Sequence, residues 1–244
     1  MSLLKVENRG PVTIFTIDNA AKRNVISQAT AIDLQRAFEE FDRSGQRVAI
    51  VTGAGDEAFT AGADLRDIPE FWRCTPGAGI ATDKPIIAAV AGWCIGGGIT
   101  LVGMCDLAVA AENAKFSYPE ARLGFTQGFI TGIAARIPHK IAMEVMLLGR
   151  TFDAQRALAA GLVNEVVPTG RQLEVALGMA DEIARCAPLV IRTIKRFVGQ
   201  ILPQTPSQQY AQTLQQIDAL RNSADFTEGT QAFREKRLPE FKGR

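Results

Sequence analysis

The stretch that most restricts what this chain can fold into is Gly92 to Asp106, Gly-Trp-Cys-Ile-Gly-Gly-Gly-Ile-Thr-Leu-Val-Gly-Met-Cys-Asp. The apolar run from Ile86 to Ala91 leads into it, and its length and bounding Pro85 and Gly92 predict a buried strand. Gly96, Gly97 and Gly98 then precede an apolar, helix-like run. Glycine has no Cβ and reaches strained dihedrals cheaply, so three in a row let a ligand touch the backbone where a helix begins. The first N–H groups of that helix lack internal partners, and together with the helix dipole they favour negative charge. Two readings stay open at this point: one such N–H holds an oxyanion, or the glycines only let strand and helix pack closely. A dinucleotide loop would need glycine at Ile99 or Thr100, and no Gly-Lys-Ser/Thr follows, so phosphate binding at this turn is not expected.

The chain has 244 residues, 47% of them hydrophobic, enough for one large domain or a domain with an appendage. Its 27 basic and 26 acidic residues leave a formal net charge of +1, so no global field draws nucleic acid or membrane, and a small partner is expected. Four cysteines without a Cys-x-x-Cys pair and a single histidine speak against structural disulfides and against a metal site. No apolar run reaches the ~20 residues that span a bilayer, and the N-terminus shows no signal-peptide pattern. These features give the expectation of a cytoplasmic protein.

In chain order, residues 3–18 read as a hairpin turning at Asn8-Arg9-Gly10-Pro11. Lys22-Arg23-Asn24 lies in a polar loop, read on its own as solvated. Ser27 is a candidate N-cap for an amphipathic helix bearing Ile32, Leu34, Ala37, Phe38 and Phe41. Val48–Thr52 reads as a strand followed by the small-residue loop 53–65, so that strand, loop and helix recur over Val48–Leu65 and Ile86–Cys105. The ends of such strands are where α/β folds bind ligands, and two such turns supply one backbone N–H each. Strands are expected at Leu107–Ala110, Lys115–Ser117 and Val163–Val167. Residues 129–148 read as helical with a break at Pro138-His139, and Asp153 as the cap of the helix from Ala154. His139, beside Lys140 with no serine motif near, reads as a solvated helix start. Glu120 follows Pro119 and starts a new element, either as a desolvated acid/base flanked by Ala121, Leu123 and Phe125 or as a helix-start acid favouring the dipole. Residues 171–244 carry helical periodicity only, broken at Pro188 and at Pro203 to Pro206, and read as an appendage whose apolar face meets either another subunit or its own domain.

Five segments in register give the chain a resemblance to the enoyl-CoA hydratase/isomerase (crotonase) superfamily, from about residue 4 to Lys242. They are Lys22-Arg23-Asn24, Gly53 to Leu65, Gly92 to Asp106, Phe116 to Gly124 with its Phe-x-x-Pro-Glu, and Ala232 to Arg237. The resemblance implies an α/β fold, a crotonase-like spiral of ββα units over residues 1–170. It implies a C-terminal helical trimerisation region over 171–244, and a homotrimer or a hexamer built as a dimer of trimers. It implies an acyl-CoA substrate, with coenzyme A as part of that substrate and no separate cofactor. By similarity the thioester oxygen lies between the N–H groups of Ala63 and Gly97, beside Gly96, and Glu120 is the acid/base. Lys22 and Arg23 match the loop near the CoA phosphates, and Ala61, Asp64 and Leu65 the adenine and pantetheine side. Phe233 and Lys236 match positions that complete a neighbouring subunit's site.

Two departures bear on the reaction. Hydratases of the family carry two glutamates, and the first of those positions is Thr100 here, which cannot ionise. The family's Pro-Gly-x-Gly-Gly turn reads Gln127-Gly128-Phe129-Ile130-Thr131, so bulk replaces glycine where hydratases hold water. Double-bond isomerisation needs one base, so on sequence it is favoured over hydration. Thioester hydrolysis, decarboxylation and non-catalytic CoA binding are the other readings the same scaffold admits. The short stretch from Arg66 to Asp83 leaves the acyl group open.

Overall fold

A computed structural model describes residues 3–244. β1 (Leu4–Arg9) and β2 (Val12–Ile17) form the expected hairpin, with Gly10 at φ +55° in the turn. α1 (Gln28–Arg43) starts at Ser27, whose hydroxyl accepts from the Thr30 N–H at 3.2 Å, and buries Leu34, Phe38 and Phe41. Three strand pairs follow: β3 (Val48–Gly53) with β4 (Ala58–Thr60), β5 (Ile86–Val90) with β6 (Trp93–Ile95), and β7 (Leu107–Ala111) with β8 (Lys115–Ser117). The second pair runs into α2 (Gly97–Met104) and the third into α3 (Glu120–Leu123). In every pair the first strand joins a six-stranded sheet, order β1-β2-β3-β5-β7-β10 with β10 at Glu165–Val167, and the second joins a four-stranded sheet, order β4-β6-β8-β9 with β9 at Phe152–Asp153. That alternation is the ββα spiral.

The first pair departs from the strand-loop-helix expectation, because no α-helix follows β4. The chain there passes through residues 61–70 to a single 3₁₀ turn, Phe71–Cys74. Residues 129–148 likewise do not make two regular helices. They form a 3₁₀ segment (Phe129–Ala135), α4 (His139–Met143) and a π turn (Glu144–Leu148). Gly128 and Gly149 at positive φ bound the stretch and Pro138 interrupts it, so no long run of i→i−4 bonds closes. β9 (Phe152–Asp153) leads to α5 (Ala154–Ala159), where Asp153 Oδ1 accepts from Arg156 N–H at 2.9 Å. β10 is shorter than expected, Glu165–Val167.

Alternation along the large sheet explains why its strands read as continuous apolar runs. Phe15, Ile17, Ala49, Val51, Ile86, Ala88, Ala108 and Ala110 face the main core, with α1 and the small sheet. Val12, Ile14, Val48, Ile50, Ile87, Ala89 and Val109 face the opposite way, onto α6 (Gln172–Arg185). Both faces are covered, so period-2 polarity disappears. Ala176 and Ala180, one turn apart on α6 and fully buried, let that helix lie close on the sheet. The C-terminal region thus opens with a helix that seals the core. α7 (Pro188–Ile201), α8 (Pro206–Arg221) and α9 (Ala224–Glu235) follow. The helical run breaks where expected, between Arg185 and Pro188, and Pro188 is the first residue of α7.

Candidate active site

The spiral brings the ends of β4, β6 and β8 side by side, since β6 pairs in parallel with both of its neighbours. The residues that leave those ends meet around one small cavity. It is lined by Ala63, Phe71, Gly97, Thr100, Tyr118, Glu120, Phe125, Gln127, Gly128, Phe129 and Ile130. Its volume of about 30 Å³ admits a water-sized group. The bulk of Phe129 and Ile130 therefore narrows the space without closing it.

Ala63 owes its orientation to an isolated parallel bridge. Ile26 N–H donates to Gly62 O at 2.8 Å and Asp64 N–H donates to Ile26 O at 2.9 Å. Ile26 thus takes both bonds of the bridge, and Ala63, opposite it, turns its own N–H to the other side. Gly97 is the first residue of α2, where an N–H has no intrahelical acceptor. Neither N–H has an acceptor among the described residues. Two unpaired donors at one cavity can hold an anionic oxygen.

The three glycines do different work. Gly96 caps α2 at φ +59°, and a Cβ on it would lie 2.4 Å from Glu120 Oε1. A Cβ on Gly97 would lie 2.2 Å from Phe71 Cζ, and one on Gly98 would lie 2.6 Å from Thr60 Cγ2. Close packing, one of the two readings left open by the sequence, is what these contacts show. Phe71 is fixed over Gly97 by Gln127, whose Oε1 accepts from Phe71 N–H at 3.0 Å while its Nε2 donates to Pro69 O at 2.9 Å.

Glu120 starts α3 with its carboxylate turned onto Gly96. Oε2 is buried and has no hydrogen-bond partner among the described residues. Burial in this apolar setting raises its pKa to about 7, against a smaller opposing pull from the backbone N–H of Glu120 itself. Thr100 is buried on the same cavity and brings no charge. Tyr118 shares the lining, with its phenol paired to Thr126 Oγ1 at 2.9 Å.

The loop of Lys22 and Arg23 runs alongside residues 60–64. Ala61 N–H donates to Arg23 O at 2.8 Å, and Thr60 Oγ1 donates to Asn24 O at 2.6 Å. Asn24 locks it: Oδ1 accepts from Asn19 N–H at 2.9 Å, and Nδ2 donates to Ala54 O at 3.0 Å and Ala58 O at 2.7 Å. Lys22, Arg23, Ala61, Asp64 and Leu65 therefore gather on one rim, with Lys22, Arg23 and Leu65 exposed. Neither cation has a side-chain partner among the described residues. Phe233, 85% exposed, and Lys236, just past α9, do not line the cavity. Sequence reasoning singled out neither Phe71 nor Tyr118. Tyr118 sits two residues before Glu120 inside a segment the reading had quoted, which was its only signal.

Size alone does not find this place. A cavity of about 850 Å³ lies between α7 and the ends of α2 and β5, but its carboxylates are already paired, Asp106 with Lys195 at 2.7 Å and Asp83 with Arg196 at 2.6 Å.

Comparison with known proteins agrees with this fold. Residues 7–73 and 78–244 match the enoyl-CoA hydratase/isomerase family. The carnitinyl-CoA dehydratase of Salmonella typhi is 36% identical over 258 aligned positions, covering 99% of this chain and 98% of the relative. Among solved structures, the carnitinyl-CoA hydratase of Mycobacterium avium superposes with a TM-score of 0.78 at 34% identity, covering 100% of both chains. The enoyl-CoA hydratase of Mycobacterium tuberculosis H37Rv gives 0.77 at 32% identity, again over 100% of both.

Proposed function

The chain belongs to the enoyl-CoA hydratase/isomerase family and is an acyl-CoA-processing enzyme of the crotonase superfamily, and from that premise we propose that Glu120 moves the α-proton of a thioester whose oxygen is held by the N–H groups of Ala63 and Gly97. The observation that carries this reading is a buried, unpartnered carboxylate with a pKa of about 7 at the cavity lined by those two free donors. A carboxyl poised near neutrality serves both as base and as conjugate acid. Preorganised N–H groups aimed at a developing enolate are each worth roughly 10²- to 10³-fold in rate.

The reaction is the reversible loss of water from a 3-hydroxyacyl-CoA. Glu120 takes the α-proton and the thioester becomes an enolate. The enolate re-forms its carbonyl, the electron pair makes the double bond between C2 and C3, and the C3–O bond breaks. The departing hydroxide receives the proton from Glu120, which returns to a carboxylate as water leaves. The names of the relatives, dehydratase and hydratase, favour this direction over the isomerisation preferred from sequence. One carboxylate suffices, provided another group holds the 3-oxygen.

Isomerisation is the second reading, favoured by Thr100 standing where a second carboxylate would. There the same enolate chemistry runs from a 3-enoyl thioester and Glu120 returns the proton to C4. In both readings Lys22 and Arg23 meet the CoA phosphates, Ala61, Asp64 and Leu65 flank the adenine and pantetheine, and Phe233 and Lys236 serve an adjoining subunit.

The test is to incubate 3-hydroxyacyl-, 2-enoyl- and 3-enoyl-CoA thioesters with the protein in deuterated water and follow mass and proton spectra. Interconversion of the first two supports dehydration. Interconversion of the last two without a hydroxyl supports isomerisation. No conversion and no exchange at C2 would remove Glu120 from any proton transfer.

A further inference from the structure

Elimination of water makes a demand that Glu120 and the two N–H groups do not meet. Something must hold the oxygen on C3 so that it leaves toward the proton on Glu120. The lining narrows the choice. Phe71, Phe125, Phe129 and Ile130 offer no side-chain donor, and both ends of the Gln127 amide are committed to the backbone of residues 69 and 71. Two side-chain hydroxyls remain at the cavity, that of Thr100 and the phenol of Tyr118, both buried. The phenol is the one that the charge of Glu120 reaches and that a neighbour, Thr126, holds in place.

Its pairing leaves it available. Thr126 Oγ1 already accepts from Gly128 N–H at 3.0 Å and sits 2.9 Å from the Tyr118 oxygen, a pair in which either oxygen can donate. When Thr126 donates, the phenol proton is free to turn to another acceptor. Burial, together with the nearby charge of Glu120, raises the phenol pKa above its usual value, so the group keeps its proton over the working range.

We propose that Tyr118 is the substrate-contacting residue that donates a hydrogen bond to the 3-oxygen of the acyl chain, with Thr126 as its positioning partner, and that this contact selects 3-hydroxyacyl thioesters. The inference rests on the dehydration reading above. Tyr118 transfers no proton in it: the proton that leaves with the hydroxyl is the α-proton carried by Glu120. A site that donates to a substrate hydroxyl discriminates against analogues lacking it, because its own buried donor is then left unpaired.

Two measurements test it. In Tyr118→Phe, the ratio of dehydration rate to α-proton exchange rate falls at least 10²-fold. Thr126→Val lowers the same ratio, and the double variant falls no further than Tyr118→Phe. Equal loss of both rates overturns the proposal, since it would mean that Tyr118 only shapes the surroundings of Glu120. Unchanged rates also overturn it. The second measurement needs no turnover. In an inactive Glu120→Gln background, adding Tyr118→Phe weakens binding of a 3-hydroxyacyl-CoA five- to tenfold and leaves the saturated thioester unchanged. An equal change in affinity for both thioesters, or no change in either, overturns the role of Tyr118 alone. A wild-type enzyme that exchanges the α-proton but dehydrates nothing overturns the dehydration reading, and is read from the wild type without any variant.

Discussion

Glu120 carries two consequences of one burial. As a base it must be ionised, so α-proton exchange should rise with pH through about 7 and level off above it. Glu120→Gln should lose 10²- to 10⁴-fold in turnover while keeping affinity for CoA thioesters, as the amide fills the same space. The stability effect has the opposite sign. The folded-state pKa is raised from 4.5 to about 7, so the contribution of this group is fully present below the unfolded value and is lost as pH rises through about 7. Glu120→Gln, neutral throughout, should therefore gain thermal stability relative to wild type between pH 5 and pH 8. Parallel melting curves over that window would contradict the burial argument. Gly96→Ala probes the same carboxylate from the other side. It places a Cβ 2.4 Å from Oε1 at a backbone φ of +59°, so activity should fall with little change in CoA affinity. At this scale the sequence showed the residue types but not their division of labour. Three adjacent glycines look alike in a string, and only their neighbours, Glu120, Phe71 and Thr60, separate them. Tyr118 was invisible because a tyrosine before a proline is ordinary until a cavity and Thr126 stand beside it.

Elements were legible wherever local chemistry decided them. The hairpin turn, the caps at Ser27 and Asp153, and the helical C-terminal region follow from signals within a few residues. What failed was what depends on distant partners. The small-residue loop after β3 promised a helix, yet its backbone is taken up by β4 pairing with β6 and by the bridge between Ile26 and Ala63. The same physics makes Asn24 the keystone of the cation loop. Its side chain makes three hydrogen bonds from a fully buried position and its backbone sits at φ +56°, a conformation Asn tolerates better than Ala. Asn24→Ala removes three bonds worth about 1 kcal/mol each, leaves carbonyls at Ala54 and Ala58 short of a donor, and adds backbone strain. A loss of about 2–4 kcal/mol in urea unfolding is expected, with KM for the CoA thioester raised more than kcat is lowered, because Lys22 and Arg23 lose their anchor while Glu120 keeps its own. A variant as stable as wild type would show the loop to be held by other contacts.

At the scale of the molecule, α7 is the element the single chain leaves unfinished. None of its fourteen residues, Pro188–Ile201, is buried, and Leu189, Ile194, Phe197 and Ile201 are exposed at 76%, 56%, 59% and 80%. Side chains of that size gain about 1.5–3 kcal/mol each when fully covered, more than a solvated helix face gives up without a partner. The homotrimer expected from the family resemblance would cover this face, and would also bring Phe233 and Lys236, which do not line the cavity of their own chain, to the CoA rim of another. Placing charge on the face tests both points. Ile194→Glu with Phe197→Glu should shift the sedimenting species from a multiple of 26.3 kDa to a single chain. The folded core should persist, because α6 and not α7 seals the large sheet. Activity should fall through KM, as the cation-bearing position of each neighbour is withdrawn. Phe233→Ala, made in the intact assembly, should raise KM without changing mass. A wild-type chain that sediments at 26.3 kDa with full activity would leave α7 to some other use and return the CoA site to a single subunit.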